Sequence, residues 1–134
     1  MVGILIVAHG RFGEALIHCC SHVLGRVPTH VAQLEVAVTE DPEAVLPRAR
    51  ALLAQVDSGD GVLVLTDVLG ATPSNIATRL LSEGRVEGVA GVSLPMLIRA
   101  LNYRDETLES VVDKAISGGC DGVARMNGHA PRGS

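Results

Sequence analysis

The chain has almost no aromatic side chains: Phe12 and Tyr103 are the only two among 134 residues, and tryptophan is absent. Single-stranded nucleic acid is held by stacking bases on aromatic faces, so that function class is disfavoured. The core must therefore be built from Val, Leu, Ile and Ala. Lysine is scarcer still, with Lys114 alone, and no G-x-x-x-x-G-K-[ST] occurs, which excludes a P-loop nucleotide hydrolase. The formal net charge of −4 argues against binding any phosphate backbone, and no nucleic acid is expected as a partner. Cysteine is limited to Cys19, Cys20 and Cys120, which form neither a disulfide framework nor a C-x-x-C pair. A reducing, cytoplasmic setting is the expectation.

No apolar run approaches the roughly 20 residues needed to span a bilayer. The opening MVGILIVAHG lacks the basic n-region and cleavage site of a signal peptide. No G-x-G-x-x-G follows a strand and no G-x-S-x-G occurs, so a dinucleotide fold and a serine-hydrolase elbow are both disfavoured. What is present is a chain 47% hydrophobic and 19% charged, of a size for one folded domain. Its expected extent is residues 1–126, with 127–134 (NGHAPRGS) as a flexible tail.

Two runs, Val2 to Ala8 and Gly61 to Thr66 (GVLVLT), are apolar throughout apart from Gly3 and the glycine and threonine at the ends of the second. Such runs read as strands buried on both faces, the pattern of a parallel sheet sandwiched by helices. Val31 to Val38 and Val86 to Val92 read as two less uniform strands. Between them, helical spacing runs from Phe12 to Leu24 with Gly25 as a stop. A second helix follows Asp41-Pro42, a third Thr72-Pro73, a fourth Pro95, and a fifth covers Asp105 to Ile116 before Gly118-Gly119. Asp121 to Met126 reads as a short edge strand.

This alternation specifies an α/β fold. Right-handed crossovers and chain length favour a flavodoxin-like open sheet in strand order 2-1-3-4, with helices on both faces. Strands 1 and 3 are neighbours in that order, and their following helices depart to opposite faces. Ligands of open α/β sheets bind in the crevice this creates. His9 ends strand 1 and Asp67 ends strand 3.

The chemistry follows from that convergence. Gly10, Arg11 and Phe12 lead into a helix, whose first N–H groups favour an anion. An imidazole there can accept a phosphoryl group on one nitrogen while the other donates its N–H to a carboxylate, with Asp67 the natural acceptor. The second loop, from Thr66 through Gly70 and Thr72 to Ser74, adds hydroxyls, a glycine and another helix start around the shifting phosphoryl charge. A strand-end histidine alone, or an aspartate beside a glycine turn alone, is ordinarily structural. The pair at one switch point carries the functional reading. His18 and His22, four apart, have the spacing of H-E-x-x-H. Cys19 stands where that motif has glutamate, and no third ligand is evident, so no metal site is expected.

The segments ILIVAHG (Ile4 to Gly10), VLVLTDVLGATPSNIA (Val62 to Ala77) and VAGVSLPMLIRAL (Val89 to Leu101) together resemble the IIA domain of the mannose-family phosphotransferase system. The resemblance extends from the first strand to about Met126, with matching order and spacing. It implies a phosphoryl carrier in bacterial sugar uptake: His9 would take the group from the histidine-containing phosphocarrier protein and pass it to a IIB domain. No metal or organic cofactor is implied, and the membrane enters only indirectly, through a permease. The resemblance also implies that Asp67 orients the imidazole and that the Thr72 hydroxyl lies close to the phosphoryl group. It further implies a homodimer in which an antiparallel fifth strand, here Asp121 to Met126, is commonly exchanged.

The sequence departs from the family at Ser74, where an aromatic is usual, and the docking surface is expected to change with it. A IIB domain on a separate chain is the expected acceptor. A regulatory sensor of phosphorylation state, without transport, and the phosphoryl-donor subunit of dihydroxyacetone kinase are the alternatives left open.

Overall fold

A computed structural model of the chain describes residues 1–127. The two apolar runs become β1 (Gly3–His9) and β3 (Val62–Thr66), side by side at the centre of a parallel sheet. They are flanked by β2 (Val31–Val36) and β4 (Val86–Ala90), giving the expected order β2-β1-β3-β4. Both outer strands are shorter than their apolar runs suggested. Gly91 and Val92 instead turn back to donate their N–H groups to the Thr66 carbonyl, at 2.9 and 3.0 Å.

Strand periodicity divides the core in two. Ile4, Ile6, Ala8, Leu63 and Leu65 face α1 (Phe12–Leu24), α4 (Leu94–Asn102) and α5 (Leu108–Asp121). Leu5, Val7, Val62 and Val64 face α2 (Pro42–Val56) and α3 (Thr72–Thr78). Because α1 and α3 lie on opposite faces, the carboxyl ends of β1 and β3 flank the crevice at which such sheets bind ligands.

Local signals explain most helix boundaries. Asp41 caps α2 by accepting the Glu43 N–H at 3.1 Å, with Pro42 in the first turn. Pro47 sits inside α2 but on its exposed side, where the carbonyl that loses its helical donor can turn to water. Ser93 caps α4 and Thr107 caps α5. The third helix starts one residue differently from expectation: Ala71 holds the cap position, and Thr72 and Pro73 both lie in the first turn.

The C-terminal segment is a correction. The helix expected to stop before Gly118-Gly119 runs on to Asp121, and residues 121–126 form no fifth strand among the described residues. The glycines serve close packing of α5 on α4 rather than termination. A Cβ on Gly118 would lie 2.8 Å from the Arg99 Cβ and 3.1 Å from the Pro95 carbonyl oxygen. Arg99 also bonds the Asp121 carboxylate at 2.9 Å, holding the last turn. Beyond it, Val123 and Met126 are exposed. The expected tail lies, from residue 128, outside the described residues.

One buried side chain fastens the opposite end of the sheet. Arg104, only 8% exposed, donates to the carbonyls of Val2, Thr29 and His30 at 2.7–3.0 Å. Arg104→Ala would strip these oxygens of a charged donor. We expect a loss of about 3 kcal/mol in urea unfolding, with the slope unchanged.

Candidate functional site

β1 delivers His9 and β3 delivers Asp67 because each strand stops where its apolar run stops. The fold then joins them through two bonds to one oxygen. Asp67 Oδ2 accepts the His9 backbone N–H at 3.0 Å and lies 2.7 Å from His9 Nδ1. The other carboxylate oxygen accepts the Val68 N–H at 3.0 Å, and the Thr66 hydroxyl leans on it at 3.4 Å. Burial by itself would raise the Asp67 pKa, but the hydrogen bonds from His9 and Val68 outweigh it and hold the carboxyl below its ordinary value. An ionised Asp67 can only accept, so Nδ1 carries the proton and the lone pair of the neutral ring resides on Nε2. The His9 side chain is one-third exposed and that of Asp67 half as much, so a part-buried carboxylate holds an accessible imidazole.

Both loops leave their strands through glycines of positive φ, +49° at Gly10 and +90° at Gly70, which other residues adopt with strain. Gly10 donates its N–H to the Val36 carbonyl, tying the first loop to β2. Among the described residues no side chain caps α1, whose first-turn N–H groups therefore remain available to an anion just beyond His9. Arg11 is largely exposed and pairs with Glu14 at 3.4 Å, while Phe12 is half-exposed at the helix start.

The second loop divides the hydroxyls expected around the site. Thr72 is half-buried, and its hydroxyl makes no hydrogen bond among the described residues. Thr66 is buried against Asp67. Ser74 is buried as well, and its side chain points into the loop. The exposed positions are Val68 and Leu69, which the sequence analysis passed over. Two aliphatic residues in a loop have no periodicity that would mark them. With Phe12 they place apolar surface beside the histidine.

His18 and His22 meet edge to face, ring centroids 4.8 Å apart, on α1. Among the described residues no group of three His, Cys, Asp or Glu side chains is arranged to hold a metal ion, and no helix is long and apolar enough to cross a membrane. A groove of about 580 Å³ lies at the far end of the sheet, between Glu83, Glu87 and the first turns of α5. The histidine itself lies at the opposite end of the sheet, its side chain one-third exposed.

A doubly wound sheet with His9 and Asp67 bonded to each other at its switch point defines a flavodoxin-like α/β domain. Residues 3–116 match the family described as PTS system fructose IIA component, and the chain belongs to this family of phosphotransferase-system IIA components. It is 32% identical over 128 residues to the mannose-specific EIIAB component of Escherichia coli K12, covering 93% of this chain. The chain spans 39% of that relative's length. The crystal structure of phosphotransferase system component EIIA from Streptococcus agalactiae superposes with a TM-score of 0.81 at 26% identity, covering 93% of this chain and 97% of the other. The mannose/sorbose-specific IIA subunit from Enterococcus faecalis shares the fold, with a TM-score of 0.83 at 20% identity, over 97% and 98% of the two chains.

Proposed function

We propose that this chain is a phosphoryl carrier that accepts a phosphoryl group on His9 Nε2 from the histidine-containing phosphocarrier protein and passes it to a IIB domain. The observation that carries the reading is the 2.7 Å contact between Asp67 Oδ2 and His9 Nδ1, which leaves Nε2 as the nucleophile. In the accepting step the Nε2 lone pair attacks phosphorus as the donor's P–N bond breaks, and that electron pair returns to the donor imidazole. The Nδ1 proton stays on His9, and Asp67 stabilises the positive charge that grows on the ring. The Thr72 hydroxyl and the first-turn N–H groups of α1 supply hydrogen bonds to the phosphoryl oxygens. Gly10 and Gly70 let the two loops approach, with Arg11 and Phe12 at the rim. Transfer to the IIB domain is the same displacement in reverse.

On this reading Phe12, Val68 and Leu69 form the apolar surface on which donor and acceptor dock in turn. The working unit is the single domain of residues 1–126, located in the cytoplasm. It forms a homodimer and reaches the membrane only through the permease that its IIB partner serves.

The test is to incubate the chain with phosphoenolpyruvate, enzyme I and the histidine phosphocarrier, then to measure intact mass before and after acid treatment. One acid-labile phosphoryl group is expected. A chain that stays unmodified while the phosphocarrier is fully charged would rule the proposal out. A phosphorylated chain that no IIB domain discharges would favour the regulatory reading over transport.

A further inference from the structure

Ser74 is 3% exposed, yet both functions of its hydroxyl are in use. Its Oγ accepts the Gly70 N–H at 2.8 Å and donates to the Ala71 carbonyl at 2.9 Å. The Ser74 carbonyl in turn accepts the Thr78 hydroxyl at 2.8 Å, which locks the residue into α3. The segment from Asp67 to Ser74 is therefore pinned at two places. The Asp67 carboxylate holds one end to His9 and Val68, and the Ser74 hydroxyl holds the other. Between them Val68, Leu69 and Gly70 are exposed, and Gly70, at positive φ, meets little steric resistance to re-orienting once its N–H is released.

From this arrangement we infer that Ser74 is a positioning residue of the phosphoryl site: its hydroxyl fixes the Leu69-Gly70 and Ala71-Thr72 peptides and thereby the placement of Thr72. The inference rests on the carrier reading above and deepens it. It moves Ser74 from direct phosphoryl contact, where the sequence had put it, to support of the residue that makes the contact. A buried hydroxyl already donating to Ala71 has no proton left for a phosphoryl oxygen. Where packing of a large side chain could hold such a loop, this chain uses hydrogen bonds instead.

The test is the rate of His9 phosphorylation against phosphocarrier concentration for the wild type, Ser74→Ala and Ser74→Thr. Loss of the tie costs about one hydrogen bond in the transfer state, so Ser74→Ala should lower the maximal rate about tenfold. The half-saturating donor concentration should change less than about twofold, because no side chain of the docking surface is removed. Ser74→Thr, which keeps the hydroxyl, should recover most of the rate. Amide hydrogen exchange at Gly70 should be faster in Ser74→Ala and restored in Ser74→Thr.

A full maximal rate in Ser74→Ala overturns the inference. So does an equal loss in Ser74→Thr, or a loss expressed only as weaker donor binding. A wild-type chain that is never phosphorylated overturns the carrier reading and with it the catalytic use of the tie. Gly70 exchange then still decides, independently, whether the hydroxyl holds the loop.

Discussion

His9→Ala should carry no phosphoryl group under conditions that charge the wild type completely. This is the largest effect expected of any single change, because among the described residues no other side chain at the crevice supplies a ring nitrogen. The variant should remain folded. The His9 side chain is one-third exposed, and Asp67 keeps its bonds to the backbone N–H groups of residue 9 and of Val68. Unfolding by urea should therefore shift by no more than about 1 kcal/mol. Intact mass and a circular dichroism melt on the same sample separate lost chemistry from lost structure. An acid-labile phosphoryl group on His9→Ala would place the acceptor elsewhere, with His18, His22, His30 and His129 the next residues to map.

Asp67→Ala should slow transfer by between about 10² and 10⁴-fold without abolishing it. The imidazole loses the acceptor that selects its tautomer and steadies its positive charge, yet Nε2 remains available in part of the population. Single-turnover phosphorylation measures this directly, and a wild-type rate would refute the role assigned to Asp67. The same substitution has a pH signature. The folded-state pKa of Asp67 lies below its ordinary value, so its ionised form stabilises the fold above the ordinary carboxylate pKa of about 3.9. That contribution disappears as pH falls through the depressed folded value. The urea midpoints of wild type and Asp67→Ala should thus differ at neutral pH and converge in acid.

How much of this was legible in advance depends on where the signal resides. The two central strands were plain because burial on both faces leaves no polar position to confuse the pattern. Order β2-β1-β3-β4 followed from alternation and handedness, and His9 and Asp67 could be paired because each marks the end of such a strand. Ser74 was harder. A serine three residues past a helix cap reads equally well as a phosphoryl donor or a loop brace, and only its burial and its two partners distinguish them. Gly118 was misread for a related reason: a glycine that ends a helix and one that admits a neighbouring helix look alike until the neighbour, here α4, is in place. Arg104 had no local signal at all, since its acceptors are backbone carbonyls on segments 74 to 102 residues away.

By itself, then, the amino-acid sequence determined the layered α/β class, the strand order, the two ends at which a histidine and a carboxylate would meet, and the family resemblance. These are one-dimensional properties: apolar runs, their period, and punctuation by glycine, proline and polar caps. The tertiary structure alone decided the shared Oδ2 between the His9 backbone and ring, the inward turn of the Ser74 hydroxyl, the exposure of Val68 and Leu69, and the continuation of α5 to Asp121. Each of these depends on how the chain packs in three dimensions, across distant segments at His9 and Asp67 and within one loop at Ser74. Such approaches are set by packing of the whole domain and leave no periodic trace in the residues that make them.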